Sequence, residues 1–271
     1  MKIVRFSKEQ KIAFGVVDEA ENGDLEVVEL AGDPLGGKFE TTGTRYGFGQ
    51  IRVLSPVVPM SKVIGVGKNY VAHQQEMQDI TGATSASGAF EPLLFLKPNT
   101  SVIGPGDPIV LPQVSSNVQV EAELAVVIGA VGKHVPEEKA LDIVFGYTVA
   151  NDVSARDLQV ADGQWARAKG FDTFCPLGPV IETEFNSDAA RVKSRINGEI
   201  RQDAPVHDMI HSVAKLVSYA SSVFTLVPGD VILTGTPAGV STITDGDSVE
   251  VEVSGIGVLR NPVISETKLY K

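Results

Sequence analysis

The sequence holds a single cysteine, Cys175, so no internal disulfide can form, and the chain fits a reducing compartment. Basic residues are in the minority: 23 Lys and Arg stand against 34 Asp and Glu, a formal net charge of -11. Nucleic-acid binding ordinarily rests on a basic excess, and an acidic surface docks poorly on anionic lipid, so neither partner is expected. No run approaches the ~18 uninterrupted apolar residues that a membrane span needs. The opening Met-Lys-Ile-Val-Arg-Phe-Ser-Lys lacks the apolar centre of a secretory signal. A cytoplasmic protein is therefore the expectation. Aromatic residues are also scarce, at 6%, whereas 27 glycines and 15 prolines cut the chain into short β-branched runs that predict many short strands.

What is present is enough for a real core. The chain has 271 residues, 43% hydrophobic and 21% charged, near the globular average, which argues against disorder. Strands are predicted over 2–5, 13–18 and 25–30. A connector with Pro56 and Pro59 follows, so a boundary near residue 58 separates a small N-terminal β-rich domain (1–57) from a large one (58–271). In the large part, strands are predicted over 63–66, 93–97, 109–111, 118–128 and 145–150, with helical composition over 69–79 and a polar, flexible stretch, TGATSASGA, over 81–89. Asn197-Gly198 marks a hairpin. Apolar residues at steps of three and four from Val206 to Phe224 predict an amphipathic helix, capped by Asp203, with Pro205 in its first turn. Strands outnumber helices without regular βα alternation. The expected class is α+β and β-rich, a mixed roll or barrel, not a Rossmann or TIM fold.

Glu121 and Glu123 lie two apart in the apolar run 118–128. A strand's period of two puts both carboxylates on one face, with Val118, Val120, Ala122, Leu124 and Val126 on the other. Two adjacent acids repel and are costly to bury unpaired. A divalent cation resolves both problems, and oxygen donors without sulfur suit Mg²⁺ or Mn²⁺ more than Zn²⁺. Two solvated acids on an exposed face are the plainer alternative. Asp152 ends the next apolar strand, either as a third ligand or as a turn-forming or helix-capping residue. His207 and His211 have i,i+4 metal spacing without a third ligand and read as structural or exposed. Cys175 reads as a buried, inert thiol. Gly65-Val66-Gly67-Lys68-Asn69 lacks the spacing and hydroxyl of a phosphate loop.

These residues fall in stretches that resemble the fumarylacetoacetate hydrolase family: VIGVGKNYVAHQQEM (63–77), EPLLFLKPNTSVIGPGDPI (91–109), VEAELAVVIG (120–129), FGYTVANDVSARDLQ (145–159), DGQWARAKGFDTFCPLGP (162–179), RINGEIRQD (195–203) and PGDVILTGTPAGV (228–240). The resemblance implies a β-roll or barrel of that family's C-terminal type. It also implies a metal, Mg²⁺ or Mn²⁺, held by Glu121, Glu123 and Asp152. Lys169 matches a lysine beside the metal-bound substrate, and Thr236 matches a residue touching the substrate carboxylate. His73 and Glu76 match an acid/base pair in a closing lid, and residues three apart share a helix face. Taken alone, His73 reads more readily as an exposed helix histidine, Lys169 as a surface lysine and Thr236 as part of a turn with Pro237 and Gly239. The implied activity is metal-dependent C–C cleavage of a 2-oxo acid through a metal-bound enolate, as oxaloacetate decarboxylase or acylpyruvate hydrolase. An isomerase or decarboxylase of hydroxymuconate-type diacids and a non-catalytic small-molecule-binding module are the alternatives. The implied assembly is a homodimer.

Overall fold

The computed structural model describes residues 1–20, 22–81 and 91–269. All but the first residue of the 81–89 stretch therefore lies outside the described residues. Predicted runs join strands not expected from the sequence, such as Thr41–Gly47 and Cys175–Glu182, in a mixed sheet of twelve strands. Its main path runs Thr41–Gly47, Leu25–Leu30, Lys11–Glu19, Lys2–Lys8, Cys175–Glu182, Val144–Asn151, Ala122–Ile128, Val231–Leu233, Val63–Gly67, Leu93–Lys97. A five-stranded sheet carries Glu199–Pro205, Arg191–Ile196, Ser248–Val253, Gly257–Ser265 and Ile109–Leu111, and three short strands make a third sheet. The fold is thus strand-rich, and the described strands close no barrel. The N-terminal strands join the main sheet directly: Lys2 pairs with Glu182 and Ile3 with Ile181. No helix among the described residues is long and apolar enough to cross a membrane.

Ala122–Ile128 is buried at every position, because sheet neighbours and packed layers cover both its faces. Leu124, Val126 and Ile128 enter one hydrophobic cluster, while Ala125 and Val127 enter a second on the opposite face.

Two expectations are corrected by side chains that intercept the backbone. The run 118–128 is not one strand: Val118–Val120 belongs to the three-stranded sheet, and the chain breaks at Glu121. There the Glu121 N–H donates to Asn151 Oδ1 at 3.1 Å and the Ala122 N–H to Gln202 Oε1 at 3.0 Å, taking both donors off the ladder. The amphipathic helix is shorter than its apolar spacing predicts. It spans Val213–Val223, with Ser212 as its cap. Asp203 and Pro205 end the strand Glu199–Pro205, where Asp203 pairs with Arg191 at 2.8 Å and Lys193 at 3.3 Å across the hairpin. Asn69 holds the following residues: its carbonyl accepts the Ile210 N–H and its Oδ1 the His211 N–H, both at 2.8 Å. The hairpin turn itself has φ 55° at Asn197 and 83° at Gly198, as an Asn-Gly pair permits.

Candidate active site

The break at Glu121 forms the floor of the site. Ala122 pairs with Asn151 across the two central antiparallel strands, which sets Glu121 against Asp152 where those strands end. The Asp152 N–H donates to the Glu121 carbonyl at 2.9 Å. One carboxylate oxygen from each of Glu121, Glu123 and Asp152 lies within 4.8 Å of the others. Their exposures are 3%, 1% and 1%, so these are not solvated acids on an open strand face.

Three cations reach this cluster. Lys169, on the short helix Ala166–Gly170, donates to Glu121 Oε2 and Asp152 Oδ2, each at 2.6 Å. Lys97 donates to Asp152 Oδ1 at 2.5 Å, and Arg156 pairs with Glu121 Oε1. Glu123 has no ion pair among the described residues; its Oε2 accepts the Gly235 N–H at 2.6 Å. Gly235 is needed there, since its φ is 98° and a Cβ would meet Asn69 Cβ at 2.7 Å. Burial works against the charged forms of Glu121, Lys169 and Glu123, and the neighbours decide the outcome. Lys169 and Arg156 overcome burial at Glu121 and hold its carboxyl below the ordinary range. Asp152 and Glu121 do the same for Lys169, which is held protonated above its usual value. At Glu123, burial and the neighbouring Asp152 and Glu121 act together and push the carboxyl well up. Three buried, hard oxygen donors, one without a counter-ion of its own, fit a divalent cation of the Mg²⁺ or Mn²⁺ type.

His73, Glu121, Glu123, Lys169 and Thr236 line one cavity of about 270 Å³. Asp152 and Glu76 stand behind this wall, each bonded to a residue in it. Glu76 Oε2 lies 2.9 Å from His73 Nδ1, and Glu76 Oε1 accepts the Gly239 N–H at 2.9 Å. The carboxylate thus ties the helix Val71–Thr81 to the loop that carries Thr236. His73 is 6% exposed and is not a surface histidine. The Thr236 hydroxyl donates to the Ala122 carbonyl at 2.9 Å and accepts from Gln202 Nε2 at 2.7 Å, so its only proton points inward. Gly65 and Gly67 make room for aromatic rings: a Cβ would fall 2.1 Å from Phe95 and 2.6 Å from Trp165. Cys175 is fully buried, which pushes its thiol up to about 12. His207 is exposed, and neither it nor His211 joins a metal-ligating group among the described residues.

The fumarylacetoacetate (FAA) hydrolase C-terminal family matches residues 62–264. The chain belongs to the fumarylacetoacetate hydrolase family. Residues 1–56 match a second family, Rv2993c-like, N-terminal. Protein Rv2993c of Mycobacterium tuberculosis is 44% identical over 99% of this chain and 100% of its own length. A mitochondrial oxaloacetate tautomerase of Xenopus laevis is 42% identical over 79% of this chain and 69% of its own. Among solved structures, 5-carboxymethyl-2-hydroxymuconate delta-isomerase from Mycobacterium smegmatis superposes with a TM-score of 0.88 at 44% identity, covering 98% of this chain and 100% of its own. Maleylpyruvate hydrolase from Sphingobium sp. SYK-6, solved with manganese(II) and pyruvate, gives 0.78 at 29% identity, covering 98% and 99%.

In this fumarylacetoacetate hydrolase family member, three buried residues of the site carry no periodic signal in the sequence. Lys97 and Arg156 lie inside motif stretches but reach their carboxylates only through the fold. Gln202, 1% exposed, fills all its bonding capacity. Its Oε1 accepts from the Ala122 N–H and the Ser194 hydroxyl, and its Nε2 donates to Thr236 Oγ1 and the Pro237 carbonyl, at 2.7–3.0 Å. The one signal for all three is that a Lys, Arg or Gln in an apolar or motif stretch must find buried partners.

Proposed function

We propose that this chain is a divalent-cation-dependent enzyme that moves a proton at the carbon beside the keto group of a 2-oxo acid and, in substrates with a breakable bond at that carbon, cleaves it. The observation that carries this reading is His73, which is buried, bonded to Glu76, and set in the same cavity wall as the carboxylate cluster. Glu121, Glu123 and Asp152 would hold Mg²⁺ or Mn²⁺. When bound, such a cation supplies Lewis-acid polarisation of a carbonyl oxygen. Lys169 adds a fixed positive charge where negative charge develops. A proton on His73 Nδ1, donated to the acceptor-only Glu76, leaves Nε2 as the base that takes or returns the substrate proton. Glu76, held by Gly239, fixes the ring and balances the imidazolium. Thr236, in the same cavity wall, would meet the substrate carboxylate. Phe95 and Trp165, 5.3 Å apart between ring centroids, keep the wall beside Lys169 apolar.

Proton transfer alone gives tautomerisation or isomerisation, the activities named for two of the relatives. Oxaloacetate decarboxylation releases CO₂ and leaves its electron pair in the enolate. Acylpyruvate hydrolysis adds water to the distal carbonyl and breaks the next C–C bond into the same enolate. A panel of oxaloacetate, an acylpyruvate and a hydroxymuconate-type diacid tests the reading, with Mg²⁺ or Mn²⁺ and an EDTA control, following enol absorbance, CO₂ and pyruvate. Turnover of at least one acid, abolished by EDTA, is expected. No turnover with either cation, or full activity after exhaustive chelation, overturns the proposal.

A further inference from the structure

The cavity's cations are engaged with the cluster, with one exception. Lys169 is held by Glu121 and Asp152, and Arg156 by Glu121 and Gln159. Lys68 lines the same cavity, and no ion pair or side-chain hydrogen bond engages its ammonium among the described residues. Among the described residues, the only acids in the cavity lining are Glu121 and Glu123. The backbone at Lys68 is also unusual: φ is 61°, a left-handed conformation that a residue with a Cβ adopts at a cost. Its neighbours hold that conformation. Gln74 Nε2 donates to the Lys68 carbonyl at 2.7 Å. On one side, Gly67 lies against the Trp165 ring. On the other, the amide of the buried Asn69 donates to the Thr234 carbonyl at 2.8 Å and the His211 carbonyl at 3.1 Å. A strained backbone locked from both sides, at a position lining a cavity, points to a role in function.

We infer that Lys68 is a specificity-determining residue that pairs with a second carboxylate of the substrate, so that the site selects dicarboxylic 2-oxo acids over monocarboxylic ones of equal length. This rests on the 2-oxo-acid reading above and narrows it. With the 2-oxo-acid end at the cluster, Lys68 is the remaining ionic partner for the far end. A diacid gains a charge-assisted bond there. An acid ending in methyl leaves the ammonium facing apolar surface, and a site built around a charged partner discriminates strongly against a ligand that lacks it.

The test uses two acids that differ by a carboxylate in place of a methyl, 2-oxoglutarate and 2-oxopentanoate. Each is titrated calorimetrically into Mn²⁺-loaded protein. The wild type is expected to bind the diacid roughly 10- to 100-fold more tightly, the worth of one charge-assisted hydrogen bond. Lys68→Met should bring the two affinities to within about twofold, and Lys68→Arg should keep most of the preference. Mn²⁺ affinity, measured without organic acid, should match the wild type in both variants and shows that the cluster has folded. Equal binding of the two acids by the wild type, or a preference that survives in Lys68→Met, overturns the role of Lys68 and leaves the 2-oxo-acid reading standing. If the wild type binds neither acid, that reading fails and the inference falls with it.

Discussion

Glu121 and His73 share a cavity but answer to different partners, and that separation makes their roles distinguishable. His73 bonds to Glu76 and is outside the carboxylate cluster. His73→Ala should leave Mn²⁺ affinity within about twofold and lower turnover by the ~10²–10⁴ typical of a lost acid/base group. Glu121→Ala removes a proposed ligand and also strips Arg156 and Lys169 of a shared carboxylate, leaving buried cations underpaired. It should therefore weaken Mn²⁺ binding and turnover together. Calorimetry and kcat on both variants check this, and wild-type turnover in His73→Ala on every accepted 2-oxo acid would remove the dyad from the mechanism. The period-two rule paired Glu121 with Glu123, and the two do meet, although the strand it assumed is interrupted at Glu121. Asp152, Lys169 and the His73–Glu76 pair were expected from motif resemblance, and the fold sets them around one cluster and its cavity. Lys97 and Arg156 were not expected, because their partners lie 55 and 35 residues away and no local period records such pairings.

Most strands could be read from β-branched runs between Gly and Pro turns. The misreadings share one cause, a polar side chain that takes a backbone donor out of its predicted ladder. Asn151 and Gln202 break the run at Glu121, and Asn69 keeps residues 210–211 out of the helix. Apolar spacing cannot report this, since Val206 and Met209 pack into the core from a turn as well as they would from a helix. Gln202 carries the largest structural load of the three. It links the five-stranded sheet to Ala122 at the strand break and to Thr236 and Pro237 in the opposite loop. Gln202→Leu orphans buried partners at about 1–3 kcal/mol each, so a net loss of roughly 2–4 kcal/mol is expected after local relaxation. Gln202→Glu keeps both accepted bonds but sets a carboxylate oxygen against the Pro237 carbonyl and buries a charge, so it should lose at least as much stability at neutral pH. Urea unfolding of the two variants measures the order, and a Gln202→Leu midpoint equal to the wild type would deny the bridge its importance.

Across the whole molecule, the carboxylate cluster sits where the two central strands of the main sheet end, so a cation held there would be linked to folding. A ligand that binds only the folded state stabilises it by RT ln(1 + [L]/Kd), about 2.7 kcal/mol at a hundred times Kd. For a chain of this size that is a rise in Tm of several degrees, at roughly 2–4 °C per kcal/mol. Mn²⁺ should produce that shift, EDTA should reverse it, and Glu121→Ala should blunt it. The N-terminal strands should move with the rest. Lys2–Lys8 pairs with Cys175–Glu182, which pairs in turn with Val144–Asn151, the strand that Asp152 directly follows, and the N-terminal ammonium meets Glu182 at 2.5 Å. The proline-bearing connector and the separate family match of residues 1–56 point toward an independent unit, whereas continuity of the sheet points toward one cooperative transition. Calorimetry with and without Mn²⁺ decides between them. A single transition that moves as a whole is the outcome the hydrogen bonding predicts. Two transitions, of which Mn²⁺ raises only one, would show that residues 1–57 unfold on their own and that their strand pairing with the main sheet is too weak to couple them to the site.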